Sequence, residues 1–148
     1  MARITPLTTQ ASGYDGATHQ IELLWTDLEG VADNTAKAVD FATTANAVGA
    51  EATCEFISME VRRPFSGGTV VANTLSIGDS GSATKYMAAK QICEAHASDV
   101  KRMVGGTTQQ DLLAQIRLTF NAPGAGKNLD EYTDGQVLVR VRIVNNVN

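Results

Sequence analysis

From Val137 to Ile143 an aliphatic side chain falls at every second position, with Val139 and Val141 between them and Arg140 and Arg142 in alternate places. Successive side chains of a strand point to opposite faces, so residues 136–144 read as a strand with one face buried and one in water. Residues 111–120 repeat the pattern: Leu112, Ala114, Ile116, Leu118 and Phe120 lie inward against Leu113, Gln115, Arg117 and Thr119. Only about 15 residues separate the two runs, including the loop Asn121-Ala122-Pro123-Gly124-Ala125-Gly126. One-sided strands joined by a short connection fit an antiparallel sandwich better than a βαβ unit.

Upstream, residues 19–28 predict a strand with Ile21, Leu23 and Trp25 on one face, broken by Glu29 and Gly30. After the turn signal Asp33-Asn34, residues 35–42 alternate again, with Val39 and Phe41 on one side. Residues 51–62 predict a longer strand whose apolar parity switches near residue 56, from Cys54 and Phe56 to Ile57, Met59 and Val61. Either a β-bulge or burial on both sides produces such a switch. Residues 63–68 read as a plain turn leading to a strand at 69–77, with Val71, Leu75 and Ile77 on one face, a hairpin-like unit. Tyr86, Ala89, Cys93, His96, Val100 and Met103 recur at helical spacing, and Ser82 offers a cap, so a short helix is expected within 83–96. Residues 1–17, rich in Thr, Ser and Gly, show no periodicity and are expected to form an extended N-terminal arm.

The expected fold is therefore mainly β: an antiparallel β-sandwich or jelly-roll-like single domain over residues 18–148, with one short helix and the arm. A length of 148 residues suits one core, and 43% apolar residues can fill it. Aromatics are only 5%, so packing rests on aliphatic side chains. The net charge of −4 argues against nucleic acid as a partner. It is unevenly spread: residues 1–60 carry nine acids and two bases (−7), residues 61–148 seven acids and ten bases (+3). Such asymmetry suits contacts between neighbouring molecules, or simply averages out on folding. No apolar run approaches the roughly 18 to 20 residues of a membrane span, so no membrane partner is expected. The N-terminus lacks the apolar stretch of a secretion signal, and synthesis in a cytoplasm is the default expectation. Cys54 and Cys93 are too few for a disulfide framework and read as small core hydrophobes.

Motifs that suggest chemistry are incomplete. Gly78-Asp79-Ser80-Gly81 matches the surroundings of the nucleophile in chymotrypsin-like proteases, but that triad needs a histidine and a carboxylate earlier in the chain. Only His19 precedes Ser80, in the wrong context, so a turn is the ordinary reading. Residues 122–128 end in Gly126-Lys127 like a phosphate-binding loop, yet Asn121 and Asn128 stand where glycine and Ser/Thr belong. Cys93 and His96 lack the further ligands of a zinc site. Asp27, Glu29 and Asp33, like Asp130, Glu131 and Asp134, miss the calcium-loop spacing and read as solvated turn acids. Arg62-Arg63 and Lys101-Arg102 are too short to track a nucleic-acid backbone but suit acidic residues of a neighbouring subunit. No enzyme activity, cofactor or small-molecule substrate is expected; a small hydrolase using Asp79, Ser80 and a histidine is the least favoured alternative.

Thr35-Ala36-Lys37-Ala38-Val39-Asp40-Phe41 leads to Cys54-Glu55-Phe56-Ile57-Ser58-Met59. Pro64-Phe65-Ser66-Gly67-Gly68 then leads to Leu75-Ser76-Ile77-Gly78-Asp79, and the chain closes on Gly135-Gln136-Val137-Leu138-Val139-Arg140-Val141. Over residues 19–144 this succession resembles small structural proteins of tailed bacteriophages, most of all head decoration (cement) proteins. The resemblance implies a homotrimer on the capsid exterior of the virion that bridges major capsid protein subunits and stabilises the head. A tail- or fibre-associated module is the alternative. Candidate partner-binding residues are Arg3, Ile4, Pro6 and Leu7 in the arm, with Arg62 and Arg63.

Overall fold

A computed structural model describes residues 3–6, 18–42, 52–93, 101–104, 110–111 and 115–145. They form two antiparallel sheets and, as helix, only short 3-10 turns. The six-stranded sheet runs β1 (Arg3–Pro6), β2 (His19–Leu24), β10 (Asp134–Asn145), β4 (Ala52–Ser66), β7 (Lys101–Val104), with β8 (Gln110–Asp111) also pairing β4. The four-stranded sheet runs β3 (Lys37–Ala42), β9 (Gln115–Phe120), β5 (Thr74–Gly78), β6 (Met87–Gln91).

Both sheets supply one apolar core. Ile21 and Leu23 from β2, Met59, Val61 and Phe65 from β4, and Val137, Val139 and Val141 from β10 join Leu75 and Ile77 from β5 and Ile116, Leu118 and Phe120 from β9. The rings of Phe65 and Phe120 meet edge to face at 5.4 Å across the two sheets, and Phe65 meets Tyr132 in the same way. Burying each aliphatic side chain of this set contributes about 1.5–3 kcal/mol, so the alternation at 137–141 is the pattern that organises the larger sheet.

The parity switch in β4 follows from its register. Its 15 residues pair along the 12 of β10, and the three-residue difference (15 − 12 = 3) is taken up at three irregularities. One lies where Ser58 pairs Arg140 and Phe56 pairs Val141, leaving Ile57 extra. The parity switch near residue 56 is thus a bulge. The other two leave Arg62 extra and place Pro64 between paired positions, where a strand tolerates a residue without an N–H.

Five expectations are corrected. Residues 63–66 belong to β4, where Arg63 pairs Gln136, Ser66 pairs Asp134 and Phe65 is buried; the turn itself is Gly68-Thr69, entered through Gly67, and both glycines have positive φ. β4 and β5 lie in different sheets, so they are no hairpin, and Val71 is 75% exposed rather than sharing the face of Leu75 and Ile77. The strand from His19 stops at Leu24, where the Asp27 carboxylate accepts the Leu24 N–H and starts a 3-10 turn, Trp25–Leu28. The expected helix within 83–96 is replaced, over its described part to Cys93, by a turn and β6: Met87 pairs Ile77, Lys90 pairs Leu75, and Ala89 is exposed. Pairing along β5 outweighs the helical spacing; residues 94–96 lie outside the described residues. The run read as one strand over 111–120 is also divided, with β8 in one sheet and β9 in the other.

Arg3–Pro6, expected in the arm, form β1 against β2, with Arg3 opposite Glu22, Ile4 opposite Ile21, Thr5 opposite Gln20 and Pro6 opposite His19. The rest of 1–17 lies outside the described residues.

Candidate functional site

One register row of the larger sheet is rich in charged residues. Register aligns Arg3, Glu22, Leu138, Glu60 and Arg102 across five strands. Glu60 is buried and receives two arginines: its Oε1 lies 2.6 Å from Arg62 Nε, and its Oε2 accepts from Arg140 NH1 at 2.7 Å. Glu22 accepts from the Gln136 side-chain amide at 2.8 Å. Of the candidate basic pair, Arg62 therefore neutralises Glu60, and Arg63 pairs with Asp134 at 2.8 Å. Both arginine side chains remain about half exposed, at 46% and 51%, so either can still meet a partner at the rim of the sheet. Arg3, Ile4 and Pro6 stand on the outermost strand of the same sheet, at the opposite side from β4; Leu7 lies outside the described residues. The five described candidates thus lie on two different strands, β1 and β4, that are not neighbours in the sheet.

Several residues of the remaining motifs hold turns or strands together. Asp79 of the Gly-Asp-Ser-Gly sequence caps a turn: its Oδ1 accepts the N–H of Gly81 and of Ser82, and its Oδ2 binds Lys85 Nζ at 2.6 Å. Lys85 and these two amides hold its carboxyl below the usual carboxylate range. Ser80 is exposed in that turn beside the four-stranded sheet, whereas His19 lies on β2 of the other sheet, its Nδ1 2.9 Å from Thr18 Oγ1. Burial lowers the His19 pKa.

Asp40 and Arg117, paired across β3 and β9, form a two-pronged ion pair at 2.7 and 2.8 Å that lowers the carboxyl's pKa. In the loop read against a phosphate site, the Asn128 side chain accepts from Asp130 N and opens the 3-10 turn Leu129–Glu131. Glu131 then reaches across to Thr69, accepting its N–H at 2.7 Å and its hydroxyl at 2.9 Å. These two bonds hold the Glu131 carboxyl below its ordinary range. Cys93 Sγ lies 3.1 Å from Tyr132 Oη in the interior, and burial raises the pKa of both groups. His96 lies outside the described residues. Among the described residues, no three His, Cys, Asp or Glu side chains gather where they could hold a metal ion.

Sequence reasoning placed Arg140 on the outer face but missed its partner Glu60, whose position between Met59 and Val61 reads as an ordinary solvated site. The only signal was the alternation itself, which sets Glu60 on the face of Arg140. The chain matches no protein-family model, no curated protein and no solved structure.

Proposed function

We propose that this chain is a structural protein of a virus particle, of the head decoration kind, which assembles as a trimer on the capsid exterior and bridges major capsid protein subunits. In this reading the two sheets stack as a sandwich with jelly-roll-like connections, and residues 1–17 act as an arm toward a neighbour. The observation that carries it is where the polar groups are spent. Among the described residues, Asp79, Glu131, Asp40, Arg117, Glu60 and Arg140 all hold turns or strands together, while β1, β7, β3 and β6 stand at sheet edges. Side chains committed to rigidity, with strand edges left for pairing, suit a building part that binds through its surface.

The tail- or fibre-associated reading has less support. A glycan-binding face wants exposed aromatic rings, but Trp25 packs against the core, and the one large hydrophobic residue strongly exposed among the described residues is Val71. The test is addition of the purified chain to empty expanded heads. Saturation at a fixed ratio to the shell subunit is expected. No binding to heads, with labelled electron microscopy locating the protein at the tail, overturns the assignment.

A further inference from the structure

We draw no further inference here: the strongest candidate, the outer edge of β3 (Lys37–Ala42), which pairs β9 in unbroken register and among the described residues meets no second strand, is an unpartnered edge, and nothing in the structure shows what covers it.

Discussion

Gly135 lies flat against the ring of Phe65: a Cβ built on Gly135 would stand 2.5 Å from Phe65 Cγ, and its φ of +149° is one that side chains rarely adopt. This contact sits beside the irregularity that carries Pro64, where β4 and β10 are out of step. It is also where Phe65 reaches Phe120 of the opposite sheet. Gly135→Ala is expected to destabilise the fold by about 2–4 kcal/mol through crowding and backbone strain. In a Phe65→Leu background the same substitution should cost measurably less, because the smaller side chain yields space. Equal costs in the two backgrounds, measured by urea unfolding, would show that the ring is not the obstacle.

Gln91 Oε1 accepts three backbone N–H groups, from Asn73, Ile92 and Cys93, each at 3.0 Å. One side chain thereby closes the end of β6 onto the segment entering β5. Gln91→Ala leaves those donors without their acceptor and is expected to cost about 2–3 kcal/mol. Gln91→Glu keeps an oxygen in place and should retain most of the stability. A Glu variant as unstable as the Ala variant would show that the side chain acts through packing instead.

The interior pair Cys93 and Tyr132 predicts a quiet thiol. Burial keeps the thiol protonated, and thiolate is the reactive form. Peptide mapping after alkylation at neutral pH should find Cys93 unmodified in the folded chain and modified once denaturant is added. Tyr132→Phe removes the hydroxyl partner of Sγ and is expected to cost about 1 kcal/mol without exposing the thiol. Rapid alkylation of Cys93 in the native wild-type chain would contradict the buried placement.

How much of this was legible in sequence depends on whether the deciding contact was local. Strands at residues 137–144 and 116–120 declare themselves because one face is apolar and the other polar, and the bulge at Ile57 shows as a change of parity. β6 was hidden because Tyr86, Ala89 and Cys93 fall at a helical interval; its strand state depends on β5, with Ile77 pairing Met87. The four residues of β1 are too few to show any period, and only the edge of β2 gives them structure. The Glu60 cluster was equally hidden, since Arg140 lies 80 residues away in the chain. Arg62 and Arg63 were visible as a basic pair, but their separate acidic partners were not.

Acid should weaken the fold in two stages, both with the same sign. Burial lowers the His19 pKa in the folded chain, so between the ordinary value of 6.5 and that lower value the unfolded chain binds more protons. Stability is then complete above about pH 6.5 and declines as pH falls through this window. Glu131, Asp40 and Asp79 also have lowered pKa values in the folded chain, from ordinary values of 4.5, 3.8 and 3.8. Their contributions persist above those values and are lost as acid protonates each carboxylate toward its folded pKa. The urea midpoint should therefore be flat near neutrality, slope down below about pH 6.5, and steepen below about pH 4.5. His19→Gln should remove the upper slope and leave the lower one, and Glu131→Gln should soften only the lower one. A midpoint that rises on acidification from pH 7 to pH 5 would mean that His19 gains a partner for its charged form, the opposite of what its half-buried position on β2 dictates.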